Sequence, residues 1–422
     1  MINLYIFDKY CRAKSYGLGT YIKELTTALK GKDMNVCIIH LQSYNENNEK
    51  EKQIHLNKKK DVTDSDDIRH LYISIPVTPD RSIDNHEQDE LYYSEVVSQL
   101  KLYINNHERL IFHLNLLDYQ NFVNQLRNTF DCLIVSTIHS INWGFFFFDN
   151  LPRLRQIINE TDPDQFEERM RKSFEEEKSL FMSVDHIICI SNYMHELLCR
   201  EYGVDSQKTS FIPNGLSEIR TSSADKQQFR EKWKVNYNEK IIFFAGRMDP
   251  IKGLNFLIKA FRMVLSTFPQ CRLVIAGEGD FSSFTKQSQD ICTRITFTGF
   301  LDKELLYEWY KIADIGVIPS LFEPFGYVAA EMMMQELPLI VTATSGLNEV
   351  IDESCGLKVP IIVNAKNVEI SPELLAEKIL YLLQHPVEAK QLGKNGRKRY
   401  LNEYSSEVFS RNMRQFYKSL YS

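Results

Sequence analysis

Short, almost wholly apolar runs recur along this chain, and between them lie longer stretches whose apolar positions return at helical spacing. In the first half the short runs are INLYIF (2–7), NVCIIHL (35–41), LYISIP (71–76), RLIFHL (109–114), CLIVSTI (132–138), HIICIS (186–191) and TSFIP (209–213). In the second half they are KIIFFA (240–245), CRLVIA (271–276), RITFTG (294–299), IGVIP (315–319), PLIVTA (338–343) and LKVPIIV (357–363). Runs that are apolar throughout, rather than alternating, predict parallel strands buried on both faces. LNFLIKAFRMVLSTF (254–268) and SPELLAEKILYLLQH (371–385) predict helices between them. Such alternation predicts an α/β, doubly wound fold, with right-handed crossovers and ligand loops at the carboxyl ends of the strands.

The two trains of strands predict two domains. Polar residues and turn formers dominate 214–240, which places the boundary there: one domain over 1–218, a second over 219–400 and a closing helix within 401–422. The polar segment 43–67 predicts a mobile surface loop, and 159–179 a charged helix with a solvated face. Ser191 is placed to cap a helix that Gly203 ends.

Composition narrows the class. The 422 residues are 43% apolar and 25% charged, as in ordinary globular proteins. A net charge of −6 argues against a dedicated nucleic-acid binder, which needs surplus Lys and Arg. MINLYIFDKY reads as a first strand and not a leader, and no stretch is long enough to span a membrane. The eight cysteines are scattered without a CxxC pair, which predicts free thiols in a reducing cytoplasm.

Two stretches carry chemistry. In SLFEPFGYVAAEMM (320–333), Pro324 disfavours helical geometry at Glu323, so Glu323 belongs to a loop after the strand IGVIP. GYVAAEMMM predicts a helix whose amino end offers free N–H groups, with Glu331 more than a turn inside it. Acids so placed can hold two polar ends of one ligand; alternatively Glu323 caps the helix and Glu331 is a surface acid. In FFAGRMDPIKGLNFLIKAF (243–261), Gly246 and Gly253 bracket a loop that carries Arg247 and Lys252 to a helix start. Two cations there suit a diphosphate, and solvated surface cations are the alternative. The loop is no Walker motif, because Leu254 follows Gly253.

GRMDPIKG followed by EPFGYVAAE, in that order and context, resembles the retaining glycosyltransferase family 4, glycosyl transferases group 1, of the GT-B fold. IPNGL (212–216), IAGEGD (275–280), FTGFL (297–301) and SGLNEVI (345–351) are similar to that family as well. The resemblance covers nearly all of the second domain and scattered points of the first. It implies two Rossmann-like domains facing a central cleft, with the acceptor on the first, a nucleotide diphosphate-sugar on the second, and the last helix crossing back. It implies that Arg247 and Lys252 hold the diphosphate, that Glu331 takes the ribose hydroxyls, and that Glu323 with Phe325, Gly326 and Tyr327 holds the donor sugar. It also implies that no metal or other cofactor is required.

Two first-domain signals join these. KSYGLGTYIKELTTAL (14–29) reads as a glycine turn entering a helix; the resemblance implies that Gly17 and Gly19 approach the donor phosphate, and a plain turn is the alternative. As a dinucleotide fingerprint it fails at Ile22. His139 ends a buried strand, and the resemblance implies a His near the sugar's reactive end; the family often places Asp after it, where this chain has Ser140. The aromatic run Trp143 to Phe148 reads as core within a loop, with an acceptor-facing surface as the alternative. DSD at 64–66 matches a metal-binding pattern of another glycosyltransferase fold, but no predicted strand flanks it.

The expected activity is hexosyl transfer with retention to a hydroxyl of a saccharide, a lipid-linked acceptor or a peptide. Catalysis is assigned to Glu323, His139, Arg247 and Lys252. The protein is expected in the cytoplasm, with peripheral membrane contact and no nucleic-acid partner. A nucleotide-sugar epimerase and a non-catalytic binding protein of the same fold are the alternative functions.

Overall fold

A computed structural model describes residues 1–9, 17–31, 33–45, 62–65, 68–77, 85–104, 109–115, 120–219, 225–364 and 367–421. They form two compact units. The first comprises Met1–Ser140, Arg171–Gly215 and Ser406–Ser422; the second comprises Ile141–Met170 and Leu216–Ser405. Most of the polar segment 43–67 and residues 14–16 of the glycine stretch lie outside the described residues.

The first unit is built on strands β1 (Ile2–Lys9), β2 (Met34–Asn45), β3 (Val62–Ser65), β4 (Ile68–Val77), β5 (Leu110–Leu114), β6 (Cys132–Ile138), β7 (His186–Cys189) and β8 (Thr209–Phe211). Their order across the sheet is β3-β4-β2-β1-β5-β6-β7-β8. Neighbours run parallel except β3, which is antiparallel to β4. The apolar runs are strands for the expected reason: every position of β5 is buried, as are Leu4 and Ile6 of β1. β3 was not foreseen; it lies in polar sequence, so a strand does flank DSD, although Asp66 is outside the described residues.

Strand order turns back between β1 and β5, which makes their carboxyl ends the switch point where doubly wound sheets bind ligands. Helix Gly17–Ala28 buries Tyr21, Ile22 and Leu25, and Leu29 follows them inside. Helix Ser406–Ser419 packs beside it and buries Phe409, Met413, Phe416 and Tyr417, a stripe at helical spacing. Ser410 Oγ and Arg414 Nε donate to the Ala28 carbonyl at 2.6 and 2.9 Å, satisfying an acceptor at a helix end. Ser191 caps helix Asn192–Arg200 by accepting from Met194 N at 3.2 Å, as its position predicts.

The charged stretch around 159–179 is less solvated than its composition suggests. Helix Gln165–Ser183 buries Phe174, Leu180 and Phe181, and its Glu177 accepts a hydrogen bond from Tyr202 at 2.6 Å. The aromatic run is a helix, Asn142–Phe147, and not a loop. It is core only in part: Trp143 is buried, while Phe145 and Phe146 are 42% and 57% exposed.

The second unit holds β9 (Lys240–Ala245), β10 (Cys271–Ala276), β11 (Ile295–Gly299), β12 (Ile315–Ile318), β13 (Leu339–Thr342) and β14 (Gly356–Val359). They form a parallel sheet in the order β11-β10-β9-β12-β13-β14. The strand expected over 357–363 breaks at Pro360, which has no N–H to donate to a ladder. Its far half, β15 (Ile361–Val363), pairs antiparallel with β16 (Val368–Ile370). The polar segment 214–240 contains a helix, Asp225–Lys232. Arg230 anchors it by donating to the carbonyls of Ile312, Asn236 and Glu239 at 3.1, 2.7 and 2.5 Å. Among the described residues no helix is long and apolar enough to cross a membrane. Cys37, Cys189, Cys271 and Cys355 are buried free thiols.

Candidate active site

The site of the second unit grows from the loops that leave β9, β12 and β13. After β9, Asp249 accepts from Ile251 N at 3.2 Å and starts a single tight turn, Pro250–Lys252. Gly253 then takes φ 66° and begins helix Leu254–Thr267. Only glycine fits: a Cβ here would run into the Pro319 carbonyl oxygen, just beyond β12. Leu321 N donates to Ile251 O at 2.8 Å, which ties the two loops together.

The loop after β12 is fixed from its other side too. Glu323 N donates to Ser345 Oγ at 3.0 Å, and Glu323 O accepts from Leu347 N at 3.1 Å. The Glu323 backbone is therefore held by the loop after β13, which leaves its side chain to the Lys252 side. There Lys252 Nζ lies 2.5 Å from Glu323 Oε2, although the two residues are 71 positions apart. Both side chains keep about a fifth of their surface exposed, at 21% and 19%. Arg247 stands 3.6 Å from Asp249, about one third exposed. One end of the site thus holds two cations, each with a carboxylate beside it.

Gly326, at φ 109°, opens helix Tyr327–Met334 without a side-chain cap. Glu323 is therefore no cap for this helix, since its carboxylate is turned to Lys252. Phe325 is buried, with its ring edge-on to Tyr327 and Tyr404 at 5.2 and 5.7 Å. Glu331 is no surface acid either: it is 1% exposed. Tyr310 OH donates to its Oε2 at 2.9 Å, and Lys303 Nζ pairs with its Oε1. Burial, then the neighbouring Glu331, pushes the Tyr310 hydroxyl well above its ordinary range, so it stays a donor. Lys303, Tyr310 and Ser345 were not singled out in the sequence. The available signal was Lys303 at the first position of helix Lys303–Ile312, where the helix dipole disfavours a cation.

The first unit places its candidates at the carboxyl ends of its central strands. Gly17 and Gly19 lie in the first turn of helix Gly17–Ala28, and not in a turn before it. His139 follows β6, with Nε2 3.4 Å from Asn115 Oδ1 and the Tyr21 ring edge-on at 4.5 Å. Asn115, just past β5, donates to Phe7 O at 3.2 Å. Beneath them His113 bridges Tyr417 OH at 2.5 Å and Thr137 Oγ1 at 2.7 Å, and Thr137 meets Tyr21 OH at 3.0 Å. Burial holds both imidazoles down to about 3, with His139 adding to the effect on His113. Both rings are therefore neutral at pH 7, and His139, with one N–H and one acceptor nitrogen, can exchange hydrogen bonds but brings no positive charge.

Residues 225–399 match the family model of glycosyl transferases group 1, and residues 16–218 match that of glycosyltransferase family 4. With GRMDPIKG and EPFGYVAAE folded into one site, the chain belongs to the glycosyltransferase family 4, group 1, class of GT-B proteins. It is 35% identical over 175 residues to an uncharacterised glycosyltransferase of Methanocaldococcus jannaschii, across 39% of this chain and 44% of that protein. It is 26% identical to the mannosylfructose-phosphate synthase of Agrobacterium fabrum, across 44% of each. The chain thus spans less than half the length of these two curated relatives. Among solved structures, sucrose-phosphate synthase of Thermosynechococcus elongatus superposes with a TM-score of 0.72 at 23% identity, covering 100% of this chain and 99% of that one. Anabaena HepE, solved with UDP and glucose, gives 0.70 at 15% identity, covering 99% and 100%. Both share the fold.

Proposed function

We propose that this chain is a retaining glycosyltransferase that moves a hexosyl group from a nucleoside diphosphate-sugar to an acceptor hydroxyl without a metal. The observation that supports this reading is the Lys252–Glu323 pair at 2.5 Å, a cation and an acid brought together from two loops. Arg247 and Lys252 supply the positive charge that a metal would otherwise bring to the phosphates. The bond from the sugar's C1 to the β-phosphate oxygen breaks as the acceptor oxygen bonds C1 from the same face. The acceptor's proton passes to the departing phosphate, whose growing charge the two cations stabilise. Glu323, with Phe325, Gly326 and Tyr327, holds the sugar. Glu331 takes the ribose diol, the glycines at 17 and 19 approach the phosphate, and neutral His139 hydrogen-bonds the sugar. Such an enzyme would work in the cytoplasm on a saccharide, lipid-linked or peptide acceptor, touching a membrane only peripherally.

A panel of nucleotide-sugars, screened for nucleotide release with and without candidate acceptors, tests the reading. Lys252→Ala or Arg247→Ala is expected to cost a few kcal/mol of transition-state stabilisation, roughly a hundredfold or more in turnover, with the fold intact. Near-normal turnover in either variant would remove the diphosphate assignment. Donor incubated alone and recovered inverted at C2 would instead mark an epimerase.

A further inference from the structure

Lys303 has a place in the site that its family resemblance does not assign. Its partner Glu331 is buried, while the Lys303 side chain is itself 51% exposed. The ammonium therefore reaches in from solvent to an acid 28 residues away. It does so from the first position of a helix capped by Asp302, where the dipole opposes a cation. Helix stability alone gives no reason for a lysine there.

Glu331 itself supplies one. An ionised carboxylate offers about four lone-pair positions. Tyr310 takes one on Oε2 and Lys303 takes one on Oε1, so about two are left. A ribose diol brings two O–H donors. Two fixed donors from one helix would turn the carboxylate so that the remaining positions accept the diol together. Among the described residues, the polar groups that meet Glu331 are Lys303 and Tyr310, with Tyr307 packed behind Tyr310 at 5.4 Å. The nearby arginines of helix Pro386–Arg399 are engaged elsewhere: Arg397 with Met334 O and Glu218, Arg399 with Asp352.

We infer that Lys303 is a positioning residue for nucleotide binding, aiming the Glu331 carboxylate at the ribose diol. This rests on the assignment of the ribose to Glu331. Tyr310 alone would not suffice, because it holds Oε2 and leaves Oε1 without its donor. Without the ammonium the carboxylate is fixed at one oxygen, and its open positions no longer face the diol together. Nucleotide binding then weakens, while the cations at the phosphate end of the site are unchanged.

The test measures dissociation constants for UDP, ADP and GDP by calorimetry at pH 8, following the nucleotide that binds best. Lys303→Arg is expected to bind like wild type. Lys303→Met is expected to bind about tenfold more weakly than wild type, with turnover at saturating donor largely kept. Lys303→Ala, with the same expected loss, serves if the Met variant does not fold. A merely structural pair would lower the melting temperature of Lys303→Met and leave its affinity at the wild-type value, which overturns the inference. Glu331→Gln separates the two levels. If it binds nucleotide like wild type, the ribose assignment fails; if it binds weakly while Lys303→Met matches wild type, only the role of Lys303 fails.

Discussion

Glu323 and Glu331 are both glutamates of one short stretch, yet their surroundings differ in kind. Glu323 is partly exposed and salt-bridged to a cation of another loop; Glu331 is sealed against Tyr310 and Lys303. Their losses are therefore expected to differ. Glu323→Gln is expected to leave free nucleotide affinity nearly intact and to lower turnover, because in the proposed function its contact counts as the sugar distorts toward the transition state. Glu331→Gln is expected to weaken free nucleotide binding itself. Calorimetry beside steady-state rates checks both, and equal loss of nucleotide affinity in the two variants would contradict the division. The sequence located the two acids because Pro324 and Gly326 fix the chain between loop and helix. It did not show that Glu331 is buried. An acid inside a run of good helix formers reads the same on either face, and Tyr310 and Lys303 come from another helix.

At the level of elements, the clearest constraint is the contact of Gly253 with the loop after β12. Gly253→Ala adds both a left-handed residue and a collision with a backbone carbonyl, which cannot swing aside as a side chain can. It is expected to destabilise the protein by roughly 3 kcal/mol or more and to abolish turnover by moving Lys252. Thermal melting beside the rate assay checks this; an active variant with an unchanged melting temperature would show that the loop tolerates repositioning. Elements were legible where burial was simple. CLIVSTI, KIIFFA and CRLVIA match β6, β9 and β10 end to end, since strands covered on both faces are apolar throughout. β3 and β16 were not legible. The first sits in polar sequence and the second has three residues, too few for a period to show. The helix of the aromatic run was missed because Trp143, Phe145 and Phe146 look alike in sequence, although only the first is buried.

Across the whole molecule, the first unit is sewn through its buried histidines. His113 sits between Tyr417 of one segment and Thr137 of another, and burial holds its imidazole down to about 3. A folded value below the unfolded one near 6.5 contributes stability that is complete above about pH 6.5 and is lost as pH falls toward 3. For a fully buried ring the loss is on the order of several kcal/mol. Melting temperature is expected to fall steeply with acid over that window, and His113→Gln to flatten the slope; parallel curves would assign the acid sensitivity elsewhere. The same bridge bears on how the chain is made. The first unit draws on Met1–Ser140, Arg171–Gly215 and Ser406–Ser422, so its last helix is translated after nearly all of the second unit. A ribosome delivering the chain in order leaves the seats of Phe409, Met413 and Tyr417 open to water until the second unit has been made. Nascent first units would thus carry an uncovered apolar face while the second unit is made, and a chain cut short before residue 406 is expected to keep that face exposed and to aggregate.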